Sequence, residues 1–282
     1  MGRKSTLAAY YPSGRFPSIS VTGSHCQLRC GHCGGHYLKG MRSAQTPQEL
    51  RLLAEDLEGQ GCLGFLLSGG CDRSANVPLG RYAQAIADIK RNTKLKVSVH
   101  PGLIGEAEAA ELVRAGVDIF CIDLVQDPRV IEGVLGLKVP PKAYEEALAS
   151  LFRAGAEHVV PHVCVGLNGE ERSGERSAIE LAARYPISSL SLLSFIPTSG
   201  TRMEKFPIVS DDHLLEMVEY AVDTLSCPVN LGCMRPRGNP DIEVRCCEAG
   251  IAGIAVPSPE TVRRLEHLGF KVERKDVCCA FL

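Results

Sequence analysis

The sequence predicts an α/β fold built as a (β/α)8 barrel, and three observations carry that expectation. Short β-branched or apolar runs alternate with helix-period segments. Eight such pairs fit within about 250 residues, the usual length of such a barrel. Residues able to do chemistry fall where the expected strands end, the face on which barrels carry their sites. Strand–helix alternation of this kind forces parallel pairing, because parallel neighbours need a crossover connection of a dozen or more residues. An open doubly wound sheet, or a partial barrel of six units with a C-terminal extension, would share much of this pattern.

The expected strands are Ser18–Thr22, Leu63–Ser68, Lys96–Val99, Asp118–Ile122, His158–Val165, Ser189–Phe195, Val229–Gly232 and Gly253–Val256. Apolar residues at i, i+3 and i+4 place helices at Pro47–Gly59, Leu79–Arg91, Glu106–Ala115, Ala143–Ala154, Arg176–Tyr185, Asp211–Leu225 and Pro259–Leu268. Asp241–Ala249 is a weaker helix. Thr46 is the expected N-cap of the first helix, with Glu49 as its capping-box partner. Several helices end in glycine, as in RAGVD, RAGAE and HLGFK, where a left-handed residue turns the chain toward the next strand.

The chain has 282 residues and a net charge of −2, which disfavours a broad nucleic-acid surface. At this size a single domain, 1–282, buries enough surface to need no staples. No run approaches the ~20 apolar residues of a membrane helix. MGRKSTLAAYYPSGRF has a basic start but too short an apolar stretch for a signal peptide. The expected compartment is the cytoplasm, where disulfides are rare.

Thirteen cysteines are many for such a chain. Cys62, Cys121 and Cys227 lie in or beside apolar runs and read as packing residues. The others cluster. HCQLRCGHC places Cys26, Cys30 and Cys33 at C-x3-C-x2-C spacing after the first expected strand. Three thiolates cannot close a four-ligand structural zinc site, although His25, His32 or His36 could supply the fourth ligand. Three thiolates on a [4Fe–4S] cluster leave one iron open to a small molecule. Gly31, Gly34 and Gly35 let the backbone wrap such a group.

This motif, at the end of the first strand of an expected barrel, resembles that of the radical S-adenosylmethionine (radical SAM) superfamily. There the residue before the last cysteine lies beside the SAM adenine, a place His32 takes here. LLSGGCD, with Ser68, Gly69 and Gly70, resembles the glycine motif that holds the SAM amino group, except that Cys71 replaces the common Glu. VCVGLNGEE, with Gly166 and Glu170, and FIPTSGT, with Pro197, resemble the two turns that hold the adenine. The resemblance covers about residues 18–256. It implies a TIM-type radical SAM barrel, with a Cys-rich extension at 257–282. It also implies that Cys26, Cys30 and Cys33 hold a [4Fe–4S] cluster whose open iron binds SAM. Reductive cleavage of SAM would then give a 5′-deoxyadenosyl radical that abstracts hydrogen from an unactivated C–H bond. An electron donor such as ferredoxin or flavodoxin would be required.

Further likeness is to a biotin-synthase-related group that includes one subunit of a two-component lipoyl synthase. It implies sulfur insertion on an octanoylated lipoyl-carrier protein, with a second radical SAM subunit as partner. Sulfur insertion needs a sulfide held near the substrate radical. Cys233, Cys246, Cys247, Cys278 and Cys279 are candidate ligands of an auxiliary iron–sulfur cluster, with Cys71 and Cys164 near the expected mouth. Vicinal cysteines do not readily pair with each other. Cys164 and Arg235 match places where biotin synthase holds its sulfur-donating cluster, but Ser68 and His100 stand where that enzyme has cysteines. The N-terminal C-x4-C-x5-C motif of single-chain lipoyl synthase is missing before Cys26. His100 is a candidate catalytic or SAM contact, Asp123 a ribose contact or helix N-cap, and Arg235 and Arg237 possible carboxylate binders. A mutase or maturase without sulfur transfer, and a non-enzymatic zinc or iron–sulfur scaffold, stay open as alternatives.

Overall fold

A computed structural model describes residues 6–12, 14–169, 172 and 174–281. Glu170 and Glu171 of the VCVGLNGEE motif lie outside the described residues. The chain opens with β1 (Thr6–Tyr10), β2 (Ser18–Ser20) and the two-residue β3 (Arg42–Ser43). Strands and helices then alternate strictly. First come α1 (Pro47–Gly59), β4 (Gly64–Ser68), α2 (Ala83–Asn92), β5 (Lys96–Val99) and α3 (Glu106–Arg114). Next are β6 (Ile119–Asp123), α4 (Lys142–Arg153), β7 (Val159–Val165), α5 (Glu175–Ala183) and β8 (Leu190–Ser194). Then follow α6 (Asp211–Thr224), β9 (Val229–Leu231), α7 (Pro240–Glu248), β10 (Gly253–Ala255), α8 (Pro259–His267) and β11 (Lys271–Lys275).

All the strands join one parallel sheet in the order β11-β1-β10-β9-β8-β7-β6-β5-β4-β2-β3. Apart from the two-residue edge strand β3, the spatial order from β2 to β10 is the chain order, without the reversal that marks a doubly wound sheet. The barrel reading therefore holds. The sheet curls but its edges, β3 and β11, do not pair with each other. β11 reads KVERK, and its charges protect an edge that could otherwise pair with another chain.

Local chemistry explains the helix starts. The Thr46 side chain accepts a hydrogen bond from the Glu49 amide, and Pro47 occupies the first turn, where its missing N–H costs nothing. The Glu49 carboxylate reaches back to the Gln45 amide, 2.7 Å, one residue earlier than a strict capping box. Ser210 and Ser258 cap α6 and α8 in the same way.

Period-2 alternation divides the sheet into two faces. Ile19, Phe65, Leu67, Val97, Val99, Phe120, Ile122, Val163 and Leu192 are buried in the main core cluster, together with the helices' apolar stripes. Ser20, Ser98, Ser191 and Asn230 alternate with that set and are also buried. The inner face is thus small and polar. At the N-terminal end of the strands the C-terminal tail fills it. Ala280 packs on Ile119, Cys121 and Val160, and Cys279 packs beside Tyr10 and Ala255. Asn230 Nδ2 donates to the Cys279 carbonyl at 3.1 Å, and the Phe281 ring meets Phe16 edge-on at 5.2 Å between centroids. No helix among the described residues is long and apolar enough to cross a membrane.

Candidate active site

At the C-terminal end of the strands the plugged interior opens into a cavity of about 340 Å³. Cys26, Cys30, His32 and Cys33 form part of its wall, with Gly69, Gly70 and Cys71 beneath them. The thiol loop rests directly on the glycine turn. A methyl group on Gly70 would lie 2.0 Å from the His25 carbonyl oxygen and 2.7 Å from Cys26 Cβ, so only glycine fits. The loop is tied down on its other sides. The Gly31 amide donates to the Val134 carbonyl at 2.6 Å, and the Met203 amide donates to the Gly31 carbonyl at 3.2 Å. Tyr37 and Thr198 share a hydroxyl–hydroxyl bond of 2.7 Å, joining this loop to the FIPTSGT turn.

The thiols are electrostatically unequal. A hydrogen bond from Cys30 holds Cys33 well below the usual thiol range, with His32 helping against the opposing effect of burial. Cys30 is raised in turn, through its bond to Cys33, burial and the neighbouring thiols. Burial first, then Cys26 and Asp123, pushes Cys71 up to about 12. Asp72 does not face a ligand. Its carboxylate accepts from the Ser74 and Asn76 amides at 2.8 and 3.1 Å and shapes the turn that follows the glycine pair.

His100, Asp123, His162 and Cys164 also line the cavity. Asp123 shows 58% of its side chain, but this surface faces the cavity. Burial pushes the Asp123 carboxyl up. The charge and hydrogen bond of His100, aided by His162 and His32, outweigh that and hold it at about 2. Burial lowers His100, and Asp123 more than reverses this, so His100 is raised. Burial and the charge of His100 push His162 down to about 4. The rest of the wall is mainly apolar, including Leu103, Leu135, Leu137, Leu193, Phe195 and Met234.

Other sequence-derived candidates lie elsewhere. Ser68 donates its hydroxyl to the His100 carbonyl at 3.0 Å and braces two strand ends instead of lining the cavity. Gly166 sits behind the wall at φ +78°, its amide bonded to the Glu175 carboxylate at 2.9 Å. Pro197 follows the wall residues Phe195 and Ile196 without lining the cavity itself. Arg235 is buried, and its two terminal nitrogens are taken up by protein while Nε has no partner. It donates to the Gly232 and Ala255 carbonyls at 2.7 Å each and pairs with Glu243, which also receives the Thr261 hydroxyl. Arg237 is exposed and reaches the Cys233 carbonyl at 3.2 Å.

The five proposed auxiliary ligands fall into two separate groups. Cys246 and Cys247 lie on α7 in the main core, whereas Cys233, Cys278 and Cys279 belong to the plug around Tyr10. Burial raises Cys233 to about 11 and Cys246 to about 12, and it raises Cys247 as well. Cys279 is raised by its bond to Cys278 and by burial. Sequence reasoning missed His162 altogether. It stands two residues before Cys164 on the same strand, and period 2 puts both on the inner face.

The radical SAM superfamily profile matches residues 20–182, from β2 through the thiol loop to α5. The chain belongs to the radical SAM superfamily. Biotin synthase from Halorhodospira halophila is 25% identical to it over 289 aligned residues, 94% of this chain and 85% of that one. The 7,8-didemethyl-8-hydroxy-5-deazariboflavin synthase of Methanosarcina mazei is 23% identical, over 71% of this chain and 64% of its own. Among solved structures, HydG, a maturase of the [FeFe]-hydrogenase, superposes with a TM-score of 0.67 at 19% identity. That match covers 95% of this chain and 64% of HydG. Methylornithine synthase (PylB) superposes at 0.64 and 16%, over 95% and 84%. These two show that the fold is shared.

Radical SAM enzymes use a [4Fe–4S] cluster and SAM, and the residues here fit that pair. Three thiols and a glycine turn that admits no side chain face one cavity, and Cys33 is poised as a thiolate.

Proposed function

We propose that Cys26, Cys30 and Cys33 hold the [4Fe–4S] cluster, with His32, Gly69 and Gly70 around the SAM it binds. The observation that carries this is the placement of all three thiols on the glycine turn at the mouth of one cavity. Bound together, cluster and SAM supply hydrogen abstraction from an unactivated C–H bond. The chain's own residues position the reactants and exclude water. The Gly70 contact and the Gly31–Val134 and Tyr37–Thr198 bonds fix the loop, and the leucine-rich wall shields the reacting carbon.

The substrate we infer is an apolar acyl chain, in its most concrete form the octanoyl group on a lipoyl-carrier protein. An apolar cavity of about 340 Å³ supports this, as does the resemblance to lipoyl and biotin synthesis. The scatter of the C-terminal thiols shapes the reading further. This chain would contribute hydrogen abstraction, while the sulfur comes from a second radical SAM subunit, with a ferredoxin or flavodoxin as reductant. The same scatter favours the alternative of a mutase or maturase without sulfur transfer. We also read residues 1–282 as one domain acting in the cytoplasm.

Anaerobic reconstitution of the wild type and of a Cys26→Ala/Cys30→Ala/Cys33→Ala variant tests the first step. With SAM and dithionite, the wild type should carry about four irons and release 5′-deoxyadenosine. The variant should do neither. Zinc in the wild type, without SAM cleavage, overturns the enzyme reading. Supplying the octanoylated carrier and the second subunit then separates the finer readings. A thiolated acyl product supports lipoyl synthesis, and 5′-deoxyadenosine without thiolation favours the alternative.

A further inference from the structure

The cavity wall carries a second donor set. His100, Asp123 and His162 come from the ends of three neighbouring strands, β5, β6 and β7, and the register sets Asp123 directly beside His162. One ring nitrogen of each histidine and one carboxylate oxygen of Asp123 all lie within 4.8 Å of one another. His100 Nε2 is 3.4 Å from Asp123 Oδ2. The two imidazoles stack with centroids 5.3 Å apart and planes 24° from parallel. His162 Nδ1 is buried without a hydrogen-bond partner, and His100 Nε2 has only the Asp123 carboxylate beside it. Buried polar atoms are nearly always satisfied, so an orphaned imidazole nitrogen beside a second imidazole and a carboxylate marks a place where a ligand belongs.

We propose that His100, Asp123 and His162 bind a divalent transition-metal ion, separate from the iron–sulfur cluster and on the wall of the same cavity. Two imidazoles and one carboxylate form a three-ligand set that leaves positions open, the arrangement found in non-haem iron and catalytic zinc sites. Donors bound to one ion at about 2.0–2.2 Å stand roughly 3–3.5 Å apart. The His100–Asp123 spacing already has this value, and a small side-chain rotation closes the rest. Nitrogen donors disfavour magnesium and calcium, and the absence of a thiol from the set disfavours copper(I). The Ser68 hydroxyl on the His100 carbonyl and the continuous β5–β6–β7 ladder hold the donors on rigid backbone. The open positions face the cavity, so the ion would grip an oxygen, nitrogen or sulfur donor of the substrate and anchor it there.

The test uses holoenzyme reconstituted anaerobically, so that Cys26, Cys30 and Cys33 are already occupied. It is titrated with Co(II) as a spectroscopic probe. The proposal expects about one equivalent of tightly bound cobalt with visible d–d bands and no near-ultraviolet thiolate-to-cobalt charge transfer. Asp123→Asn and His162→Gln, which preserve volume, should each weaken cobalt binding by at least about 100-fold, the upper range for disturbing a ligand's support. The absorbance of the iron–sulfur cluster should stay intact. Cys164→Ala, on the same wall, should bind cobalt as the wild type does. Cobalt bands with thiolate charge transfer, binding unchanged in the Asp123 and His162 variants, or no cobalt bound at all would each overturn the proposal. If the variants fail to fold, the wild-type spectrum still decides between nitrogen–oxygen and sulfur ligation. No readout depends on SAM cleavage, so this result stands apart from the proposed activity.

Discussion

The two ends of the barrel both carry cysteines, and the same side chain is put to opposite uses. At the mouth, Cys26, Cys30 and Cys33 sit half-buried on an irregular loop lining one cavity, with Cys30 and Cys33 within reach of each other and of His32. At the base, Cys279 is fully buried against Tyr10 and Ala255, and Cys278 lies next to it among apolar atoms. A thiol surrounded by polar neighbours can ionise, whereas one surrounded by carbon behaves as a small hydrophobe. Clustering along the sequence therefore does not reveal chemistry. What separates the two groups is whether the fold turns the sulfurs toward a cavity.

Thiol reactivity in the metal-free protein gives the sharpest contrast. The hydrogen bond from Cys30, with help from His32, holds Cys33 well below the usual thiol range, so its thiolate persists to lower pH than that of a free cysteine and is lost as pH falls through that lowered value. Cys233, raised to about 11, is about 10⁴-fold short of full ionisation at pH 7. Iodoacetamide followed by peptide mapping should label Cys33 at pH 7 faster than a free cysteine, with a rate that falls less on acidification. Cys233, Cys278 and Cys279 should stay unlabelled until the protein unfolds. Rapid labelling of the base thiols in the folded protein would erase the distinction.

The next contrast concerns Arg235, which sequence reasoning placed in the site and the structure places in a buried clamp. Arg235→Met leaves Glu243 charged and buried with only the Thr261 hydroxyl and the Ser258 amide as partners. Breaking such a pair on one side costs about 3–5 kcal/mol. The double change Arg235→Met/Glu243→Leu should recover most of this loss in urea unfolding. Recovery of stability by the pair, with 5′-deoxyadenosine formation per folded molecule unchanged, would mark the arginine as structural. Unimpaired stability in the single variant, with lost activity, would return it to the site.

These contrasts also explain how far the sequence could be read. Eight strands and eight helices were legible because their faces alternate in polarity with clear periods. β1, the two-residue β3 and β11 were not. TLAAY is short and alanine-rich, and KVERK is a charged edge strand with no apolar run. The thiol triad was legible because its ligands are local, within eight consecutive positions. The His100–Asp123–His162 group was not, since its members are assembled across three strands and His162 sits inside an apolar run. The five C-terminal cysteines are divided by the fold in a way the sequence does not show. Nearness along the chain suggested convergence, but α7 carries its pair behind the sheet while the tail threads into the barrel.

The smallest expected effect sets the limit of the comparison. Cys279→Ala removes one buried sulfur from the plug and leaves a cavity smaller than a methionine or leucine would. The cost should be about 1 kcal/mol, at the low end for buried truncations. The Asn230 bond should survive, because it reaches the backbone carbonyl of residue 279 and not its sulfur. Iron content after reconstitution then gives the decisive reading. If the base cysteines only pack, the variant keeps the full iron complement of the wild type and melts slightly earlier. If iron falls by the amount of a second cluster while the mouth thiols are intact, the plug is a metal site, and the two ends of the barrel are more alike than their surroundings indicate.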